Sequence, residues 1–231
     1  MTPPAQAGHT PPLGFKVLTP FYDAAITLLT RERRWRTELV KAINPKISDV
    51  IVDVGSGTGS LAKAVLRRMP GCTYYGVDPD REAVNRAQRK LARAGFKPEF
   101  IEGYLEPKLF KTRAEPTKVV SSLVLHQVPK VEKSRILSIM NDLLPPGGEC
   151  HIADYGHQKS KISRFLFRVT VQVIDGKLDT QPNADGILPD LMREAGFSNV
   201  IETSRIPTVT GVISLYQGRK LSNTEGRLDD T

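Results

Sequence analysis

The sequence has 231 residues, enough for one sizeable domain with a hydrophobic core. Hydrophobic residues make up 39% and charged residues 25%, which is ordinary for a soluble globular protein. No apolar run approaches the roughly 20 residues of a membrane span. The first residues, MTPPAQAGHTPPLGF, have no apolar signal core, so we expect a cytoplasmic protein with Cys72 and Cys150 as reduced thiols.

Strand-like and helix-like segments alternate between a flexible arm, 1–12, and a flexible tail, 221–231. The first part of the domain predicts leading helices over 17–43. The pattern then predicts strands at 50–54, 73–78, 99–103, 118–125 and 149–155, separated by helices within 58–69, 80–95 and 131–148. Two more helices, within 163–176 and 183–196, precede two β segments at 199–206 and 211–219.

This alternation indicates βαβ units and a parallel sheet with helices on both faces. The two consecutive β segments at the end of the chain predict a final antiparallel hairpin. We therefore expect a single domain over 13–220 with a Rossmann-like three-layer α/β sandwich.

A net charge of +8 raises the question of an anionic partner. Basic residues concentrate in RERRWR, residues 31–36, and in the helix predicted within 80–95, but no nucleic-acid module accompanies them. A solvated helix face is the favoured interpretation, and we expect no nucleic-acid partner. A weak peripheral membrane contact through RERRWR stays open, although a buried Trp35 is favoured over it.

The stretch DVIVDVGSGTGSLA, residues 49–62, joins a strand to a helix through a glycine turn. Backbone N–H groups of such a turn face a ligand beyond the carboxyl ends of the strands. Dinucleotide sites use G-x-G-x-x-G, whereas here Ser60 occupies the sixth position. The second strand ends at Asp78, and because Asp80 suits a helix N-cap, Asp78 is free to accept both hydroxyls of a ribose.

Four motifs in order, VDVGSGTGSLA, YYGVDPD, SSLVLHQVP and LLPPGGECHIADYG, resemble those of class I S-adenosylmethionine-dependent methyltransferases. The resemblance covers roughly 17–218. It implies a seven-stranded sheet of order 3-2-1-4-5-7-6 with strand 7 antiparallel. It also implies S-adenosylmethionine as methyl donor, S-adenosylhomocysteine as product, and no metal.

The resemblance also implies which residues hold the cofactor. Asp53 would orient the glycine turn or take a water-mediated bond to the cofactor amino group, and Tyr22 would cover the methionine moiety or simply anchor its helix. Gly103-Tyr104 stands where the class often has Gly-Asp, so adenine would rest on the Leu105 backbone and the Tyr104 ring. The cofactor-binding candidates are Tyr22, Asp53, Gly55, Ser56, Gly57, Thr58, Gly59, Asp78, Pro79, Gly103, Tyr104, Leu105, Ser121, Ser122 and Leu123.

Within the class, the sequence resembles the small-molecule branch around the ubiquinone/menaquinone C-methyltransferases. The expected acceptor is aromatic, quinone-like or another natural-product or lipid-like molecule, covered by the leading helices and segment 157–190. LVLHQVP replaces the Asn-rich segment that quinone enzymes carry after strand 4. The sequence does not identify the acceptor atom.

Catalytic candidates follow strands 4 and 5. His126 is a candidate general base, with bracing of its loop as the alternative. Asp154 and Tyr22 are further catalytic candidates. Substrate candidates are Tyr155, Phe165, Arg168, Gln172 and Asp175, the last three at helical spacing in a stripe that faces either substrate or solvent.

Two other classes of function remain alternatives. One is a protein that keeps the cofactor fold but is regulatory or non-catalytic. The other, less favoured, is an RNA or protein methyltransferase, although SSLVLHQVP lacks the Asn/Asp-Pro-Pro-Tyr/Phe tetrad of amino-N methylases. A homodimer is also an open expectation.

Overall fold

A computed structural model of the chain describes residues 31–221. The predicted arm at 1–12, Tyr22, the first part of the leading helices and nearly all of the tail lie outside the described residues. Elements are labelled here in chain order within the described part.

The described part begins with a helix and then alternates strands and helices. The helices are α1 (Glu32–Ile43), α2 (Ser60–Arg68), α3 (Arg81–Arg93), α4 (Lys130–Asp142), α5 (Lys161–Val169), α6 (Val171–Asp175), α7 (Lys177–Asp185) and α8 (Leu188–Glu194). The strands are β1 (Val50–Val54), β2 (Thr73–Asp78), β3 (Glu99–Glu102), β4 (Lys118–Ser122), β5 (Glu149–Tyr155), β6 (Phe197–Thr208) and β7 (Gly211–Lys220). Short 3₁₀ turns occupy Pro107–Phe110 and Leu125–Gln127.

The seven strands form one sheet of order β3-β2-β1-β4-β5-β7-β6. The first five pair in parallel, whereas β7 runs antiparallel to both β5 and β6. The predicted strand order and the terminal antiparallel hairpin are therefore confirmed. The carboxyl ends of β1, β2, β4 and β5 consequently lie along one edge of the sheet.

Side-chain alternation along the central strands supplies a core on each face of the sheet. On β1, Ile51 packs with Trp35 and Leu61 in one cluster, while Val52 packs with Leu137 in the other. Trp35 is 1% exposed, so it belongs to the core, as the sequence favoured. The apolar faces of α1, α2 and α3 cover the first side, and those of α4 and α8 cover the second.

Two sequence predictions of element boundaries were wrong. The fourth strand ends at Ser122 instead of extending to 125, because Leu123 adopts the left-handed region with φ 57° and the chain turns. The two helices predicted over 163–196 are four, interrupted at Thr170, Gly176 and Gly186. Gly176 and Gly186 have φ of 82° and 88°. Glycine adopts such positive φ values more readily than other residues, so each of these glycines ends a helix.

Within residues 31–221, no helix combines the length and the apolar composition needed to cross a bilayer.

Candidate active site

The glycine turn after β1 is anchored to the end of β2. The backbone N–H groups of Gly55 and Ser56 both donate to the carbonyl of Val77, at 2.8 and 3.1 Å. This fixes the turn at the sheet edge where ligands bind in open α/β sheets.

The three glycines of the turn differ in what a side chain would meet. All have positive φ, of 70°, 51° and 72° for Gly55, Gly57 and Gly59. A Cβ at Gly55 would collide with Val124, and one at Gly59 would lie 2.9 Å from Leu91 Cδ2. A Cβ at Gly57 meets no atom of the described residues within 4 Å. Gly55 and Gly59 are thus required by packing, whereas Gly57 borders space that residues 31–221 leave open.

Asp78 connects the turn to the start of α3. Its Oδ2 accepts from the Gly57 N–H at 2.7 Å, and its Oδ1 accepts from the Asp80 N–H at 2.9 Å. Asp80 itself accepts from the N–H groups of Glu82 and Ala83, so it is the N-cap that the sequence predicted. The Asp78 carboxylate therefore lies beside Gly57, the glycine of this turn at which a Cβ would meet no described residue.

Asp53 lies under the turn at the end of β1. It is fully buried, and its Oδ2 accepts from the Tyr74 hydroxyl at 2.7 Å. Burial raises the pKa of Asp53 to about 7, although the Tyr74 hydrogen bond opposes this shift. Its Oδ1 and the buried Ser56 Oγ have no hydrogen-bond partner among residues 31–221. Two unsatisfied polar atoms next to an open turn are what a bound polar ligand would satisfy.

The remaining cofactor candidates lie around the same edge, in varied roles. Ser121 is buried and its hydroxyl donates to the Val54 carbonyl at 2.9 Å, so that side chain joins two strands. Gly103 donates its N–H to the Asp78 carbonyl at 2.9 Å. Tyr104 is 61% exposed, while Leu105 is buried. Pro79 is exposed, and Thr58, Ser122 and Leu123 are half-buried.

Leu123 is unusual because it is a leucine at φ 57°. Its N–H donates to the Ala153 carbonyl at 2.9 Å, which holds the residue after β4 against β5. Backbone strain of this kind concentrates at functional sites. Nothing in the sequence indicated it, since a leucine has no preference for this region.

A buried ionic network forms behind the ends of β4 and β5. Asp154 is fully buried, and its Oδ2 accepts from the N–H groups of Val124 and Leu125 at 3.1 and 2.8 Å. Its Oδ1 accepts from His126 Nδ1 and from the Tyr155 N–H, both at 2.7 Å. Asp154 thus holds the turn after β4 in place.

His126 lies between two carboxylates. Its Nδ1 faces Asp154, and its Nε2 is 3.6 Å from Asp175 Oδ2 on α6. Burial disfavours the charged imidazolium, but the two carboxylates outweigh burial and raise the pKa of His126 to about 9. His126 is therefore protonated near neutral pH.

Comparison with known proteins indicates methyl transfer as the reaction at this edge of the sheet. A family model described as a methyltransferase domain matches residues 51–148. The chain is 27% identical over 232 residues to the ubiquinone/menaquinone biosynthesis C-methyltransferase of Geobacter sulfurreducens, covering 89% of this chain and 86% of that relative. It is 30% identical over 118 residues to an uncharacterized methyltransferase of Geobacillus kaustophilus, of which it covers about half, 51%.

The chain is an S-adenosylmethionine-dependent methyltransferase that resembles the class I enzymes in strand order.

Solved structures share the fold of this methyltransferase. An O-methyltransferase family protein from Burkholderia thailandensis matches with a TM-score of 0.61 and 22% identity, covering 92% of this chain and 65% of that protein. The magnesium protoporphyrin IX methyltransferase of Synechocystis PCC 6803, solved with bound S-adenosylmethionine, matches with a TM-score of 0.59 and 18% identity, covering 91% of this chain and 86% of that protein.

The catalytic roles of His126 and Asp154 stay predictions, and the structure gives the contacts of both side chains. A general base must be unprotonated, whereas the two carboxylates beside His126 raise its pKa and favour the imidazolium. The Asp154 carboxylate is fully buried and already accepts from three backbone N–H groups and from His126. These contacts connect both residues to the turn after β4, as the bracing alternative for His126 expects.

The predicted substrate residues do not form a common surface. Tyr155 is a core residue whose ring packs edge-on against His126 and Phe167, with its hydroxyl 2.8 Å from Thr210 Oγ1. Phe165 is 61% exposed, whereas the neighbouring apolar residues Phe167 and Val171 are buried.

The predicted polar stripe is also broken. The helix is interrupted at Thr170, so Arg168 lies on α5 while Gln172 and Asp175 lie on α6. Arg168 is exposed, Gln172 donates to Gln181 Oε1 at 3.0 Å, and Asp175 faces His126.

The sequence did not indicate three polar side chains that hydrogen-bond to candidate site residues. Lys90 Nζ donates to the hydroxyls of Thr58 and Ser60, at 2.9 and 3.0 Å, and so ties α3 to the glycine turn. Tyr74 is the partner of Asp53, and Asn183 donates to the Tyr155 carbonyl at 3.2 Å. Strand alternation could have placed Tyr74 on the Asp53 face, but the other two depend on long-range packing.

Among residues 31–221, no three His, Cys, Asp or Glu side chains come together as a metal site. A groove of about 670 Å³ lies between α7 and α8, lined by residues such as Leu178, Gln181 and Ile187. It contains none of the glycine-turn residues and is therefore separate from the cofactor edge.

The His126 network predicts a pH-dependent stability. Since its folded-state pKa of about 9 exceeds the ordinary 6.5, its contribution is complete below pH 6.5 and is lost as pH rises through 9. We expect His126→Gln to cost on the order of 1–3 kcal/mol of unfolding free energy near pH 6 and much less near pH 10.

The measurement is denaturant unfolding of both proteins across this range. The readout is the difference in unfolding free energy between wild type and His126→Gln at each pH. A difference is needed because burial lowers the pKa of Lys133 to about 8, so Lys133 makes both proteins more stable as pH rises above 8. A difference that stays constant with pH would contradict an ion-paired His126.

Proposed function

We propose that this methyltransferase transfers the methyl group of S-adenosylmethionine to a small aromatic, quinone-like or other lipid-like acceptor. The observation that carries the proposal is the space beside the Asp78 carboxylate that the described residues leave open at Gly57. The ubiquinone/menaquinone relative supports the acceptor class.

The residues at the edge fit the cofactor. In our proposal, Asp78 accepts from the ribose hydroxyls, and the glycine turn from Gly55 to Gly59 lies along the methionine portion. The unpartnered Asp53 Oδ1 and Ser56 Oγ receive its polar groups. Tyr104, being exposed, is free to cover the adenine ring, and Leu105 offers its backbone.

S-adenosylmethionine supplies a sulfonium methyl group whose leaving group is neutral. The protein must therefore mainly align the donor and the acceptor and exclude water, which can lower a barrier by roughly 7–11 kcal/mol. Leu123 and the turn after β4 border the methionine end, and Asp154 fixes their positions through the Val124 and Leu125 N–H groups. Acceptors that need no proton removed by His126 suit this arrangement.

The experiment that tests the proposal compares Gly57→Ala with Gly59→Ala by calorimetric titration of S-adenosylhomocysteine. Gly57→Ala should weaken binding about tenfold or more, because its methyl group enters the ligand space, while strain at φ 51° costs about 1 kcal/mol of stability.

Gly59→Ala is the matched control. Its methyl group would press on Leu91, Ala87 and Phe100, so we expect a stability loss of about 1–3 kcal/mol with affinity near wild type. Wild-type affinity in Gly57→Ala would refute the proposed cofactor position.

Turnover separates the enzyme from a regulatory protein. The purified protein would be incubated with methyl-labelled S-adenosylmethionine and a panel of quinols, phenols and lipid extracts. Label in an acceptor supports the proposal. Cofactor binding with no label transferred to any acceptor would favour the cofactor-binding regulatory alternative.

A further inference from the structure

We infer that α5 to α7 form a docking surface for an anionic lipid bilayer. This surface, called here the α5–α7 patch, consists of the large apolar side chains that these three short helices leave exposed. Their exposed fractions are Ile162 73%, Phe165 61%, Val169 46%, Val173 71%, Ile174 45% and Leu178 91%.

The patch has the geometry of an interfacial helix. On α5, Ile162, Phe165 and Val169 recur three and four residues apart on the exposed side, while Ser163 and Phe167 point into the protein. Because α5 contacts both α6 and α7, the three helices that carry these exposed apolar residues lie side by side. Exposed apolar side chains gathered on neighbouring elements mark interaction sites.

The charges beside the patch indicate what covers it. Residues 159–185, which span all three helices, contain five basic residues and three acidic residues, Asp175, Asp179 and Asp185. Asp175 is directed at His126 and Asp179 is half-buried, whereas Asp185 is exposed at the end of α7, so the net charge of the patch is positive and is concentrated on α5. The basic residues are Lys159, Lys161, Arg164, Arg168 and Lys177. Apolar side chains flanked by Lys and Arg match the acyl boundary and the anionic headgroups of a bilayer.

The α5–α7 patch lies near the edge of the sheet that carries the cofactor candidates. Phe167, on the inner side of α5, packs edge-on against Tyr155 at the end of β5, with ring centroids 5.1 Å apart. A bilayer on the outer side of α5 would therefore lie close to the edge where the cofactor candidates meet. A lipid-dissolved molecule could reach that edge without crossing water. The docking itself does not depend on methyl transfer.

Vesicle flotation of the full chain tests the inference. We expect binding to vesicles of phosphatidylcholine mixed with phosphatidylglycerol, little binding to phosphatidylcholine alone, and weaker binding as salt is raised. Phe165→Ser with Leu178→Ser should weaken binding about tenfold or more, as should Lys161→Glu with Arg168→Glu.

Matched controls lie elsewhere on the surface. Val131→Ser removes a side chain that is 82% exposed on α4, and Arg93→Glu with Lys97→Glu reverses two exposed charges outside the patch. These variants should bind vesicles like the wild type. Equal loss in controls and patch variants, or equal binding to neutral vesicles, would overturn the inference.

Two further outcomes would assign the patch to a different occupant. A dimer on size-exclusion chromatography that the Phe165→Ser, Leu178→Ser variant dissociates would mean that a second copy covers it. A drop in that variant's melting temperature without vesicles would mean that other residues of this chain cover it. Either result would overturn the assignment to a bilayer.

Discussion

Asp154→Ala is expected to lower the free energy of unfolding by about 3–5 kcal/mol, the largest effect among the substitutions considered. The change leaves His126 with only Asp175, at 3.6 Å, as a charged partner in a buried position. It also removes the acceptor for the N–H groups of Val124, Leu125 and Tyr155. Unpaired buried donors each carry their own desolvation penalty.

Thermal and urea unfolding of purified protein measure this loss, which corresponds to a melting temperature lower by on the order of 10 °C. Asp190→Ala is the control, because Asp190 is exposed and its ion pair in the described part of the chain is with exposed Arg193, so its removal should change stability by less than about 0.5 kcal/mol. If Asp154→Ala were no more destabilising than this control, the turn after β4 would not depend on Asp154.

Asp78→Ala should weaken binding of S-adenosylhomocysteine by about 1.5–3 kcal/mol, or roughly ten- to a hundred-fold. In the proposed complex this carboxylate accepts from two ribose hydroxyls, and hydrogen bonds to an ionised acceptor are strong. Its removal also frees the Gly57 N–H, which now donates to Asp78 Oδ2 at 2.7 Å, so the turn loses part of its support.

Asp80→Ala separates ligand binding from local stability. Asp80 lies two residues away and accepts from the N–H groups of Glu82 and Ala83. Loss of this cap should cost about 1 kcal/mol of stability with unchanged cofactor affinity. Calorimetric titration of both variants and the wild type makes the comparison. If Asp80→Ala and Asp78→Ala lost equal affinity, Asp78 would act only through the fold.

The predictable parts of the site are those that local sequence fixes. Asp80 follows a strand and precedes an apolar-periodic segment, which is sufficient to identify a cap. The limits of three strands were predicted to the residue, because each strand ends where its apolar run meets polar or glycine residues. These strands are Val50–Val54, Thr73–Asp78 and Glu149–Tyr155.

The roles of His126, Asp154 and Tyr155 could not be predicted in this way. Each follows or ends a strand at the functional edge, which made them candidates for catalysis. Their burial depends on Asp175, Asn183 and Phe167, which come from helices later in the chain. A histidine acts as a base or as a fixed cation according to its neighbours, and those neighbours are set by packing.

Local periodicity in the sequence determined the final antiparallel hairpin and the position of the glycine turn, and the resemblance of four ordered motifs to a known family implied the strand order and the class of enzyme. Only the tertiary structure distinguished Gly57 from Gly55 and Gly59, since that difference lies in whether Val124 or Leu91 is already where a Cβ would go. The tertiary structure likewise buried His126 between two carboxylates and left Phe165 exposed beside Phe167 in the core. These outcomes depend on contacts between distant segments, which spacing along the chain does not encode.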